Sequence, residues 1–289
     1  MEPKDLQELL REKMDGMPKK AKRVVEYLLS NMREAAFKSI GEVADELAVS
    51  KAQLVRVARM LGFEGYSDLK EVLQQAILEQ VNPAAMLTKV LKNRHDLPNQ
   101  MLQVEHANLE GTWKQLEPEK VSAFCDIISN SVITYCMGWG ISSLVAESLY
   151  MRLRVMGIRS ILLKRSSLTL QEQTRSVGPD DAVVVCELPS FVLEVTESVV
   201  LAKEQGSKII TITDSPAAPI CKYSDLQFFV SAASPMFGSS ILGPLFLVHL
   251  LSSVLAVNMG EKVQSALEKQ AQFLHDERIF HPVFGLKYT

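Results

Sequence analysis

The chain has 289 residues, 47% of them hydrophobic, and a formal net charge of −3. That length allows one large or two medium domains with a real core, and the charge excludes a global attraction to nucleic acid or acidic membranes, though a local basic face can still bind DNA. The four cysteines, Cys125, Cys136, Cys186 and Cys221, form no CxxC and each lies in or beside an apolar run, so they read as reduced core thiols of a cytoplasmic protein. The five histidines lack metal-ligand spacing, so no metal and no cofactor is expected. Met1 leads into acidic, helix-forming sequence, which is not a signal peptide.

Residues 1 to 80 read as all helix. "KAKRVVEYLLSNM" puts Val24, Val25, Leu28 and Leu29 on one face. Two capping boxes follow, Ser39 with Glu42 and Ser50 with Gln53. Helix starts that close require a short helix, a tight turn and a second helix. Gly62 ends the second, and Ser67 is placed to cap a third. In the helix from Ser50 to Leu61, Leu54, Val57, Ala58 and Leu61 share one side, while Lys51, Ala52, Val55, Arg56 and Arg59 share the other. An apolar face opposite a cationic one, with small residues near the start, suits a recognition helix entering the major groove. Arg56 can pair bidentately with a guanine edge, and Lys51 and Arg59 suit phosphates or bases. Gln53 has two readings, adenine contact or completion of the capping box. Ala44 and Ala48 are small where the helices must approach. The opposing reading is a plain solvated helix, since residues 1 to 80 hold 13 Lys+Arg against 14 Asp+Glu, 13 − 14 = −1.

Residues 81–117, with Asn82-Pro83, Pro98 and Gly111, read as a mostly helical linker. From 118 the grammar changes. Strand-like runs at 132–137, 158–163, 182–186, 208–213 and 226–230 alternate with helices expected near Ser142, Leu168, Ser190 and Pro216. Such alternation predicts a parallel sheet covered on both faces. Residues 226–260 contain no Asp, Glu, Lys or Arg. Gly243, Pro244, His249, Ser252, Ser253 and Asn258 within them favour a buried or interface helix over a membrane span, with His249 packed in the core and Leu247 at a subunit interface. The final "LHDERIFHPVFGLKYT" carries apolar residues able to cover a neighbouring surface.

"IGEVADELAVSKAQLVRVARMLGFEGYSDLK" resembles the N-terminal domain of RpiR-family bacterial transcription regulators, at Val43-Ala44, Val49-Ser50, Arg56, Leu61-Gly62-Phe63, Gly65-Tyr66 and Leu69-Lys70. "MGWGISSLVAESLYMRLRVMG" and "LAKEQGSKIITITDSPAAPICKYSDLQFFV" resemble the sugar isomerase (SIS) domain that this family carries as its sensor. The resemblance implies two domains: an all-α helix-turn-helix domain over 1–80, then an α/β parallel-sheet (flavodoxin-like/SIS) domain over 118–289 with a C-terminal helical extension. It further implies a homodimer or higher homo-oligomer on a palindromic double-stranded DNA operator, and a sugar phosphate or sugar acid that alters DNA affinity. Two departures leave the motif intact: Ala48 stands where the family often has Gly, and Gln53 where Thr is common.

In open parallel sheets ligands lie beyond the carboxyl ends of the strands. "GWGISS" (138–143) is the first candidate loop. Gly138 and Gly140 permit close backbone approach, the following helix start offers N–H groups to an anion, and Ser142 or Ser143 adds a hydroxyl. A tight turn with a capping serine is the alternative. "CELPS" is the second. Where SIS sensors usually show Ser-X-Ser-Gly-X-Thr, this chain has Glu187, whose charge repels a phosphate, Pro189, which lacks an N–H, and Ser190, a possible helix N-cap. Two hypotheses follow: a less anionic effector, such as an amino sugar whose amine or hydroxyl Glu187 accepts, or a SIS domain that only dimerises. An isomerase, the rival class, needs a base beside a carbonyl. Glu187 is the sole candidate in the loops and no second partner is evident, so no catalytic residue is assigned.

Overall fold

In a computed structural model, the structure describes residues 3–14, 16–81, 83–92, 96–236, 238–279 and 281. Contacts divide the chain into two units, one built on residues 1–100 with 215–217 and 235–238, the other on the remainder.

The first unit is helical: α1 (Pro3–Met14), α2 (Lys19–Ser30), α3 (Met32–Phe37), α4 (Ile40–Glu46), α5 (Lys51–Leu61), α6 (Tyr66–Val81) and α7 (Pro83–Lys92). Leu6 and Leu10 of α1, Val24, Val25 and Leu28 of α2, and Leu54, Val57, Ala58 and Leu61 of α5 meet in one core. Leu29, expected on the buried face of α2, is only half-buried at its edge. Tyr27 and Lys38 both bond the Glu46 carboxylate, at 2.8 and 2.7 Å, and Lys38 also bonds Glu34 at 2.8 Å, pinning α2, α3 and α4 together. Ser67 does not cap α6. The helix already includes Tyr66, and Ser67 lies in its first turn.

The second unit begins within α8 (Leu97–Lys114) and continues through α9 (Pro118–Asn130), β1 (Thr134–Gly138), α10 (Ser142–Val155), β2 (Ser160–Leu163), α11 (Leu170–Thr174), β3 (Ala182–Glu187), α12 (Leu193–Glu204), β4 (Lys208–Thr213), β5 (Leu226–Phe229), α13 (Leu242–Met259) and α14 (Glu261–Asp276). The five strands are parallel in the order β2-β1-β3-β4-β5. β3 is buried along its whole length, as a central strand covered on both faces must be. Its residues alternate between two cores. Val184 and Cys186 face the cluster with α9, α10 and α13, and Val183 and Val185 face the one with α11 and α12. All four cysteines are free and buried.

Three expectations change. No helix starts near Pro216; a single 3-10 segment, Pro219–Tyr223, stands there. On α13, Leu247 is buried in the core while His249 is exposed, the reverse of their expected places. That helix is apolar all round, so its sequence does not reveal which side faces inward. It is long and apolar enough to cross a membrane, with a mean hydropathy of 1.8. Here Leu247, Val248, Leu251 and Leu255 pack into the sheet's core. Of the apolar C-terminal stretch, residues 282–289 lie outside the described residues.

Candidate functional site

Two places hold the residues that the sequence singles out. The first is α5. Ser39 caps α4 with both bonds of a capping box present, its hydroxyl accepting from the Glu42 N–H at 3.2 Å and its N–H donating to the Glu42 carboxylate at 2.7 Å. α4 ends at Leu47, and Ala48 turns the chain with φ +51. Ser50 then caps α5, accepting from the Gln53 N–H at 3.2 Å. The Gln53 side chain returns no bond to the Ser50 N–H, so the second capping box is only half formed and the amide is not committed to it. Gly62 closes the helix at φ +102, a left-handed geometry that glycine adopts without strain.

Lys51, Ala52, Arg56 and Arg59 are exposed and Gln53 is half-buried. Arg56 makes no ion pair or hydrogen bond among the described residues. Arg59 is partly committed, its Nε donating to the Glu64 carbonyl at 3.1 Å. The Lys51 stem lies over Gly41, where an added Cβ would stand 3.4 Å from its Cε. Val55, placed on the outer face by spacing, packs partly against the core. Ala48 is exposed, so its role is the left-handed turn and not a close helix contact; Ala44, by contrast, is buried.

The second place is the carboxyl edge of the sheet. Gly138 ends β1 where α10 folds back on it. A Cβ there would meet the Ser142 carbonyl oxygen at 2.6 Å and the Ser143 nitrogen at 2.9 Å, so only glycine fits. Gly140 takes φ +56. The first α10 amides are engaged in tight turns, Ser142 N–H to Trp139 O at 3.1 Å, Ser143 N–H to Gly140 O at 3.1 Å and Leu144 N–H to Ile141 O at 3.2 Å. The Ser143 hydroxyl donates to the Gly140 carbonyl at 2.7 Å. The Ser142 hydroxyl accepts from the Leu188 N–H at 3.1 Å. The two predicted loops therefore meet, joined through Ser142.

Glu187 is the last residue of β3 and not a loop residue. It pairs in register with Thr213 of β4 and is 4% exposed. Its Oε1 accepts from the Val192 N–H at 2.9 Å, while Oε2 is buried without a partner among the described residues. Burial pushes this carboxyl up to about 7, against a smaller downward pull from the Val192 bond. Ser190 is exposed at φ +84 and does not cap α12, whose N-cap is Val192. Thr213, which spacing did not single out, is fully buried with an unpartnered hydroxyl oxygen beside Glu187. Its signal was its place as the last residue of "KIITIT", at the carboxyl end of a strand next to β3. No group of three or more His, Cys, Asp or Glu side chains able to hold a metal ion occurs among the described residues.

Residues 4–80 match the model of the rpiR-family helix-turn-helix domain and residues 127–254 match that of the SIS domain. An HTH-type transcriptional regulator of Clostridium perfringens is 28% identical over 265 residues, covering 89% of this chain and 95% of its own. The regulator RpiR of Escherichia coli K12 is 26% identical, covering 84% and 82%. The structure of the Vibrio vulnificus NanR protein complexed with ManNAc-6P superposes with a TM-score of 0.61 at 22% identity, covering 94% of this chain and 98% of that one. The helical unit capped at Ser39 and Ser50 and the parallel sheet after it thus fall within the two matched domains, the full-length relatives are named as HTH-type transcriptional regulators, and the chain belongs to the RpiR family of transcriptional regulators.

Proposed function

We propose that this regulator reads its operator through α5 and senses a carbohydrate derivative at the carboxyl edge of its SIS sheet. The division of labour is 1–80 for DNA, 81–117 as a helical linker and 118–289 for sensing and dimerisation. Lys51, Ala52, Gln53, Arg56 and Arg59 form the reading face, Ser50 setting its start. The observation that carries this is the exposed, unpaired Arg56 on a helix whose opposite side is core. Arg56→Ala should cost about 1–3 kcal/mol on a specific site and relax base preference there. Gel retardation on selected operator fragments measures both, and unchanged affinity and preference would remove Arg56 from the reading face.

The effector site comprises Gly138, Gly140, Ser142, Ser143, Glu187 and Ser190. That NanR was solved with ManNAc-6P supports an effector of the carbohydrate class. Catalysis has no support: the Glu187 carboxylate is engaged by the Val192 N–H, and the curated relatives are named as regulators. A cytoplasmic location follows from the same DNA-directed role.

A homodimer forms on the outer face of α10 and α13. Between them runs a groove of about 660 Å³ lined by Leu144, Met151, Val155 and Ala256. Met151 is 59% exposed and Val257, just beyond, 79%. Such an apolar face fits a second copy of the chain, which a palindromic operator requires. Leu247 lies in the core and is unsuited to testing this. Met151→Glu should give monomers by light scattering with the fold retained by circular dichroism, and a dimeric variant would refute the interface.

A further inference from the structure

The carboxyl edge of β3 and β4 contains a feature that dimerisation and DNA binding do not use. α12 starts where an anion would ordinarily be met by backbone N–H groups. That place is already taken, because Glu187 Oε1 accepts the Val192 N–H at 2.9 Å. Its other oxygen is buried with no partner, as is the hydroxyl oxygen of its register neighbour Thr213. A buried polar atom without a partner is costly and calls for an explanation, and two of them side by side at the carboxyl edge of a parallel sheet fit a ligand group that completes both. Among the described residues no cation answers them. Lys164 and Arg165, at the end of β2, pair with Glu147 at 3.2 Å and Glu194 at 3.4 Å. The nearby hydroxyls of Ser142 and Ser143 are bonded to the chain itself, and Pro189 has no N–H to give. The edge is therefore rich in acceptors and poor in donors, the opposite of what a phosphate needs.

We propose that Glu187 is a built-in anion: it occupies the start of α12 in place of an anionic ligand group and makes, with Thr213, a subsite for a hydrogen-bond-donating group of a carbohydrate, an ammonium before a hydroxyl. This rests on the sensing role given above and adds the polarity of the ligand. Burial alone holds the Glu187 carboxyl high, so an ammonium arriving there is met by a group that ionises readily in its presence. The segment Leu188–Val192, which follows β3 directly, is tied down by the Glu187–Val192 and Ser142–Leu188 bonds and bent at Ser190 with φ +84. Binding lifts this segment and exchanges those bonds for ligand contacts.

The test is thermal stabilisation of the full chain by glucosamine, glucose and glucose 6-phosphate, in wild type, Glu187→Gln and Thr213→Val. Glu187→Gln keeps an acceptor for Val192 and replaces the unpartnered oxygen by a donor, so the fold persists. Wild type should bind glucosamine at least about tenfold more tightly than glucose 6-phosphate. Glu187→Gln should abolish that preference, and Thr213→Val should weaken glucosamine without lowering the unliganded melting temperature. A glucosamine response that survives Glu187→Gln overturns the subsite. So does a glucose 6-phosphate response equal in wild type and Glu187→Gln, which leaves carbohydrate sensing standing. If none of the three sugars stabilises wild type, sensing falls together with the subsite.

Discussion

On α5 the groups assigned to recognition stand in solvent. Lys51, Ala52 and Arg56 are exposed, and the helix is held from behind by Leu54, Val57, Ala58 and Leu61. At the carboxyl edge of the sheet the assigned groups are mostly inside. Ser142, Ser143 and Glu187 are buried and bonded to the chain's own backbone. A DNA backbone is met by cations already in water, so the proposed reading face needs no rearrangement to bind. At the proposed sensor edge most of these groups are already bonded, Glu187 Oε2 and the Thr213 hydroxyl being without a partner among the described residues, so a ligand reaching them must also displace bonds that exist. Substitutions at the edge should therefore move stability, whereas those on α5 should move affinity.

The largest expected effect is at Glu187. Its folded-state pKa, about 7, lies above the unfolded value of about 4.5 because burial disfavours the charge. Between those values the folded chain holds a proton that the unfolded chain releases, so stability falls as pH rises through the window and the cost is complete above it. Glu187→Gln removes the ionisation. Its advantage over wild type should be small at pH 5 and grow to on the order of 3 kcal/mol by pH 8. Melting curves across that range measure it, and a pH-independent difference would show that the edge is open to water.

Ser142 comes next. Its hydroxyl oxygen satisfies the buried Leu188 N–H. Ser142→Ala leaves that donor unpaired and should cost about 1–3 kcal/mol in chemical denaturation. A cost near zero would mean that the two loops are not coupled and that the contrast with α5 is overstated.

What sequence alone made legible was local or periodic. The Ser39 capping box joins residues three positions apart, and the apolar runs mark the strands to within two residues of their ends. The apolar run stops at Cys186 and so places Glu187 in a loop, yet pairing with Thr213 carries β3 one residue further and buries the carboxylate. The bond between Ser142 and Leu188 joins residues 46 apart, a distance over which no spacing rule operates. The sequence does not tell Leu247 from His249 because α13 is apolar on every side, so only its packing against the sheet distinguishes inside from outside.

The smallest effect sharpens the other side of the comparison. Ala48 holds φ +51 after α4, with its N–H on the Asp45 carbonyl at 3.1 Å and the Val49 N–H reaching back to Ala44 O at 2.9 Å. This is the turn that aims α5, and it places an L-residue in a conformation costing roughly 1–2 kcal/mol. Glycine relieves that strain but loses more backbone entropy on folding, which offsets part of the gain. Because Ala48 is exposed, its methyl group contributes little packing. Ala48→Gly should thus stabilise the helical unit by about 0.5–1 kcal/mol, read as a higher melting temperature, while operator affinity stays as it was because the reading face is untouched. A loss of stability would mean that the alanine sits in this turn without strain; a loss of affinity at unchanged stability would mean that the stiffness of the turn, and not only the exposed side chains of α5, sets how the helix meets DNA.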